Sequence, residues 1–277
     1  MELFLELPIY LRILMAFGFG VIIGSFLNVY VYRFHTGKSL SGKSHCLSCG
    51  TPIKSYDLVP LLSYLSLRGR CRSCRSMIPV RYFLVELLTG VLFVGASFMV
   101  TNLALLLVVW FLLAVLVVIA VYDLYHLIIP DELVVTLTGI ALLLQGYSLY
   151  LYRDPAAFAL DFLAAALGVI FFFGLWHYSG GRWVGFGDVK LAMPLGLMVS
   201  AGGVFSMIVL AFWVGAIIGL VLMAWQKGRQ YYAPHTRLLG KTLHLKSAIP
   251  FAPFLIVGFL LVFFYQINVI SLVSYAY

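Results

Sequence analysis

Residues 103–122 read LALLLVVWFLLAVLVVIAVY, twenty positions without a charge, and Asp123 follows directly. At about 1.5 Å per residue, a helix of that length covers the roughly 30 Å hydrocarbon core of a bilayer. Further apolar blocks flank it at 9–32, 83–101, 132–151, 156–177, 189–200, 204–225 and 250–273. In lipid the backbone must satisfy its own polar groups, so each block is expected to be a helix. The expected fold is an all-α polytopic membrane protein of about eight transmembrane helices. The block 189–200 is the shortest. It runs from Asp188 to Ser200-Ala201-Gly202-Gly203 and has to tilt, kink or start below the membrane surface.

Composition agrees. Of 277 residues, 63% are hydrophobic and 10% are charged, against about 25% charged in soluble domains. A disordered chain, a coiled coil and an ordinary cytosolic enzyme are excluded. Glu2 and Glu6 stand where a signal peptide carries basic residues, so the first block is expected to stay as a membrane helix.

Charge then orients the spans. Counted from an outside N-terminus, loops 33–81, 123–131, 178–188 and 226–249 share one side. With Lys190 just beyond the third of them, they collect sixteen of the eighteen Lys/Arg, leaving Arg12 and Arg153 opposite. That bias marks the cytoplasmic face. The stretch from Arg33 to Arg81 alone holds nine basic residues and one acid, Asp57. Such a segment can bind nucleic acid in principle. Beside membrane spans it reads instead as a loop lying near anionic headgroups, with no nucleic-acid partner.

All four cysteines sit in that loop, as Cys46-Leu-Ser-Cys49 and Cys71-Arg-Ser-Cys74. Two C-x2-C knuckles at this separation read as a four-thiolate zinc site. Four sulfurs leave no open position on the metal, which favours a structural clip over a redox pair or a catalytic zinc. A loop this small also has little core of its own. Arg70, Arg72 and Arg75 are expected to offset the thiolate charge and lower the thiol pKa values. The expected organisation is a first helix in 1–33, a cytoplasmic four-cysteine insert in 34–81, and a membrane helical bundle in 82–277.

Only ten acids are present, so their positions carry information. Asp123 ends the third span on the cytoplasmic side. Asp188, in Gly185-Phe-Gly187-Asp188, opens the sixth at about the same depth. Two readings stand. Each acid can cap a helix, as Asp131 after Pro130 is expected to do. Alternatively Asp123 and Asp188 form a pair that shares a proton, one activating a water and the other protonating a leaving amine. Gly185 and Gly187 would then allow an extended peptide to approach the backbone. Glu86 enters the second span from the same side, where it is either paired or snorkelling. Lys190 can orient a carboxylate or reach the headgroups. Asp161 is expected to pair locally. No H-E-x-x-H, Walker loop or G-x-G-x-x-G competes.

Taken together, these residues resemble the type IV prepilin peptidases, bifunctional leader peptidase/N-methyltransferases. The resemblance is carried by Gly24-Ser-Phe-Leu-Asn28 through Arg33, by both knuckles with Tyr56-Asp57 and Arg68-Gly-Arg between them, and by Arg81-Tyr through Glu86 to Thr89-Gly90. It continues in Asp123 with Ile129-Pro130-Asp131, in Gly185-Phe-Gly-Asp188-Val-Lys190, and in Ile249-Pro-Phe-Ala-Pro253. Leu47 and Ala252 stand where the family often has proline and glycine. The resemblance implies Asp123 and Asp188 as catalytic residues, with Gly185, Gly187, Lys190 and Glu86 as candidate substrate contacts. It implies zinc on Cys46, Cys49, Cys71 and Cys74, and S-adenosylmethionine as methyl donor. The implied substrate is a type IV prepilin or pseudopilin, cut at the cytoplasmic face of the bacterial inner membrane. Competing expectations are a related G-x-G-D peptidase without methyl transfer, a non-catalytic zinc-ribbon scaffold, and a channel or transporter. The last is disfavoured because few charges lie mid-membrane.

Overall fold

The computed structural model describes residues 7–34, 39, 42, 44–232, 250–269 and 271. The charges of Lys38, Lys43, Arg237, Lys241 and Lys246 lie outside the described residues, as do the side chains of Lys227 and Arg229. Among the described residues the helices are α1 (Ile9–Arg33), α2 (Leu62–Ser66), α3 (Val80–Met99), α4 (Leu103–His126), α5 (Asp131–Tyr152), α6 (Pro155–Ser179), α7 (Phe186–Met198), α8 (Ala201–Tyr232) and α9 (Ala252–Tyr265). Each of the eight expected apolar blocks falls on one of them, and α2 lies within the cysteine-bearing insert. The chain is therefore an all-α polytopic membrane protein. Six helices (α1, α3, α4, α5, α6 and α8) are long and apolar enough to cross a membrane. The other two are shorter, with 13 residues in α7 and 14 in α9.

The described chain divides into two compact units, Met1–Val118 and Ile119–Tyr277. In the first, α1 and α3 cross on glycines. A Cβ on Gly20 would lie 2.8 Å from Gly90 Cα, and one on Gly24 would lie 2.8 Å from Glu86 Cα. Small residues let backbones meet this closely where lipid supplies no hydrophobic drive. Polar links hold the register of the pair. Asn28 Nδ2 donates to Tyr82 O at 3.0 Å, and Arg12 donates to Ser97 O. The Trp110 indole stacks on Phe93 at 5.0 Å and donates to its carbonyl at 3.0 Å.

In the second unit, α7 is packed among α5, α6 and α9. Val189, Leu191, Ala192, Leu195 and Leu197 are all buried. Gly196 lets it approach α6, since a Cβ there would sit 3.0 Å from Ala165 Cα. Gln145 of α5 donates to Leu197 O and to Asp161 Oδ2 at 3.2 Å. Asp161 Oδ1 accepts from Ala201 N at 2.8 Å and so holds the first turn of α8. Asp161 does pair locally, and its partners tie three helices together. A helix this enclosed has fixed ends, which positions the acid in its first turn.

Candidate active site

Asp123 lies in the last turn of α4. Its carbonyl accepts from Leu127 N at 2.9 Å, where Leu127 takes a positive φ of 55°. That left-handed residue breaks the helix. The chain then runs through Ile129 and Pro130 into α5. Asp188 is the third residue of α7, and Gly185 is the cap. Its Oδ2 accepts from Gly185 N at 3.1 Å, so Asp188 is not itself the N-cap but returns a bond to the cap from the first turn.

The other oxygen is unexplained by capping. Asp123 and Asp188 are each 6% exposed. Among the described residues, Asp123 Oδ2 and Asp188 Oδ1 are buried with no hydrogen-bond partner. Buried polar atoms are nearly always paired, and an orphan marks a place for a ligand or water. Asp188 also feels the charge of Asp123 directly, and the Ala252 backbone amide at the start of α9 faces Asp123. Two buried carboxylates on separate helices, each with an oxygen to spare, can hold a water and a proton between them.

The motif segments around the acids interlock. A Cβ on Gly187 would lie 3.0 Å from Ile129 Cβ, so a side chain there would press the α4–α5 connection away from α7 by a few tenths of an ångström. A Cβ on Gly185 would meet Asp188 Oδ2 at 3.4 Å, an ordinary contact. Lys190 bonds to Asp131, and its ammonium lies 5.5 Å over the Phe186 ring. The expected cap role of Asp131 is therefore corrected. Pro130 is the cap of α5, no side chain bonds there, and the Asp131 carboxylate turns to Lys190 because that cation offers a charged partner.

The four cysteine sulfurs all lie within 4.8 Å of one another, and Cys46 Sγ and Cys74 Sγ are 3.8 Å apart. A tetrahedron with zinc–sulfur bonds of about 2.3 Å requires sulfurs about 3.8 Å apart, so the residues fit a four-thiolate metal ion. The two knuckles are built alike. Cys46 N donates to Thr51 O at 3.0 Å and Cys71 N to Ser76 O at 2.9 Å. The residues after the knuckles, Gly50 and Arg75, take positive φ of 70° and 60°. The Cys46 thiol is lowered to about 6 by the backbone N–H groups of Cys49 and Ser48 and by the Ser76 hydroxyl. The Cys74 thiol is also lowered, first by the Ser76 hydroxyl. For these two thiols the lowering comes from the knuckles' own donors rather than from the arginines. Arg72 instead clamps Asp57, at 2.6 and 2.9 Å. The repeated hydroxyl two residues beyond each second cysteine, Thr51 and Ser76, is a signal that sequence reasoning passed over.

Glu86 belongs to the first unit. It is 8% exposed, and its Oε2 accepts from Leu61 N at 2.8 Å. Leu61 has a positive φ of 58°, which nothing in the sequence foreshadows.

Known proteins resemble the chain along most of its length. Residues 19–100 match the Bacterial Peptidase A24 N-terminal domain, and residues 110–220 match the Type IV leader peptidase family. A protein of Aeromonas salmonicida named prepilin leader peptidase/N-methyltransferase is 30% identical, over 88% of this chain and 87% of the relative. One of the same name from Burkholderia pseudomallei is 29% identical, over 92% and 86%. Another from Pseudomonas aeruginosa is 32% identical, over 74% and 78%. No solved structure matches. Similarity that runs through both halves, including the segments bearing the buried acids and the cysteine cluster, shows that this chain belongs to the type IV leader peptidase family.

Proposed function

We propose that the chain is a prepilin leader peptidase and N-methyltransferase of the bacterial inner membrane. The observation that supports it best is the pair of buried carboxylates, each with an oxygen lacking a partner. Asp123 and Asp188 hold one proton between them. The ionised member takes a proton from a water, whose oxygen attacks the scissile carbonyl carbon. The protonated member gives its proton to the amide nitrogen as the carbon–nitrogen bond breaks. Gly185 keeps the backbone beside Asp188 bare, Gly187 lets the α4–α5 connection pack on α7, and Lys190 steadies Asp131. The products are a leader carboxylate and a new N-terminal amine.

The substrate class is a type IV prepilin or pseudopilin whose leader ends at the cytoplasmic face. That face is assigned by the distribution of Lys and Arg. The metal on Cys46, Cys49, Cys71 and Cys74 is zinc, closed by four thiolates and structural, so it organises the insert 34–81 between the first helix and the helical bundle. S-adenosylmethionine, when bound, would supply a methyl group to the new N-terminal amine.

Co-expression with a prepilin tests this reading. Asp123→Asn and Asp188→Asn are each expected to abolish processing while the protein still inserts. Full cleavage by both variants overturns the peptidase assignment. The mass of the mature pilin N-terminus reads methylation separately, and an unmethylated product overturns that half alone.

A further inference from the structure

The amide of Leu61, in the cysteine-bearing insert, is bound inside the span of α3. Leu61 N donates to Glu86 Oε2 at 2.8 Å, and Glu86 lies six positions past Val80, where α3 starts. The 20 residues of α3 cover about 30 Å at about 1.5 Å per residue, which is the thickness of the hydrocarbon core and no more. Its first residue therefore has to stand close to the lipid boundary. Six positions put the Glu86 backbone about 9 Å inside. The side chain leans back towards the helix start, which leaves the carboxylate, and the Leu61 amide on it, several ångströms below that boundary. Tyr64 follows the same wall, its ring 5.3 Å from that of Phe83.

The segment held there turns apolar side chains outward. Leu58, Val59, Leu62 and Leu65 are 45%, 43%, 65% and 59% exposed. On α3 the exposed stripe of Val80, Leu84, Leu88 and Val91 has helical spacing and faces lipid, and the edge of the insert lies at the depth where that stripe begins. Polar groups along the edge are satisfied from within, as contact with lipid requires. The N–H groups of Leu62, Ser63, Leu65 and Leu67 donate to the carbonyls of Pro60, Val59, Leu61 and Ser63. Ser63 Oγ donates to Tyr56 O and Ser66 Oγ to Ser63 O, both at 3.1 Å. Where the backbone turns left-handed at Leu61, with φ 58°, Glu86 supplies the acceptor.

Charge fits the same partner. Arg68, Arg70 and Arg75 are exposed just beyond α2, while Asp57 is neutralised by Arg72 at 2.6 Å. A basic rim beside an apolar edge suits anionic headgroups over an acyl layer. A protein arriving from water would have to enter the lipid to reach an edge at this depth.

We propose that residues 58–65 of the insert dip into the membrane, with Leu58, Val59, Leu62 and Leu65 among the acyl chains of the leaflet in which α3 begins. The insert is then anchored on its own bilayer along this edge rather than projecting freely into water. The inference is independent of the peptidase and methyltransferase readings.

Site-directed spin labelling of the zinc-loaded full chain in phosphatidylethanolamine–phosphatidylglycerol vesicles tests it, since metal-held cysteines resist the label. Leu62→Cys and Leu65→Cys carry the label at the edge. Leu84→Cys on α3 is the lipid reference, and Lys54→Cys, exposed in the insert, is the water reference. Collision with oxygen, which concentrates in lipid, is compared with collision with a nickel chelate, which stays in water. Both edge labels are expected to show the high oxygen-to-nickel ratio of the Leu84 label. A ratio as low as that of the Lys54 label at either position overturns the inference. Edge labels that neither reagent reaches also overturn it, because protein then covers the edge. If a labelled variant loses its zinc, photolabelling of wild type from a diazirine on a lipid acyl chain decides. Adducts within 58–65 as well as on α3 support the inference, and adducts on α3 with none in 58–65 overturn it.

Discussion

Gly187 and Ile129 meet so closely that a Cβ on the glycine would sit 3.0 Å from both Cβ and Cγ1 of the isoleucine. The contact joins the segment after Asp123 to the helix that starts two residues before Asp188. Ile129 is buried and cannot swing into solvent. Gly187→Ala therefore moves one acid relative to the other. Overpacking of this kind costs about 1–3 kcal/mol. Prepilin processing by Gly187→Ala is expected to fall by tenfold or more, read by gel shift of the pilin. Adding Ile129→Ala makes room for the new methyl and is expected to restore part of the loss. A double variant no better than Gly187→Ala counts against coupling through this contact.

Asp188 combines two roles that substitutions separate. Asp188→Asn keeps an oxygen for Gly185 N–H, whereas Asp188→Ala removes that acceptor, a loss of about 0.5–1.5 kcal/mol. Both variants are expected to lose cleavage, and only the alanine variant is expected to melt at lower temperature. Thermal unfolding in detergent, followed beside the processing assay, reads the difference.

The Lys190–Asp131 bond is a surface pair. The side chains are 32% and 74% exposed, and such pairs contribute about 0.2–1 kcal/mol. Lys190→Met and Asp131→Asn are expected to destabilise weakly, and a double-mutant cycle is expected to return a coupling within that range. Screening by salt should shrink it further. A coupling several times larger would mean that the pair holds the site together.

The low Cys46 thiol has a chemical readout once the metal is stripped. Its thiol sits at about 6, held down by the Cys49 and Ser48 amides, so the thiolate is the major form at pH 7 and the thiol below pH 6. Alkylation of Cys46 by iodoacetamide is expected to rise with pH, to be half-maximal near pH 6 and to flatten above it, because the thiolate is the nucleophile. Peptide mapping by mass spectrometry follows each cysteine. With zinc bound, all four are expected to resist. Cys46→Ser is expected to abolish stoichiometric metal, because the closed four-thiolate site loses a ligand.

Much of this protein is legible from local pattern. Unbroken apolar runs such as 103–122 determine the helices, because lipid leaves the backbone no other partner. The paired C-x2-C spacing determines the cysteine cluster, because each knuckle is a short turn that its own amides close. The glycines and acids of the two motifs are visible for the same reason. What happens across long sequence separations is not visible. Asp131 reads as a cap beside Pro130, yet Lys190, 59 positions away, takes its carboxylate. Leu61 adopts its left-handed turn with its amide bound to Glu86, 25 positions away. Gly187 has meaning only once Ile129 is packed against it. Backbone satisfaction and turn chemistry act over a few residues and are written in the chain itself. Which buried oxygen is left without a partner depends on what every other helix brings, and only the assembled bundle decides that.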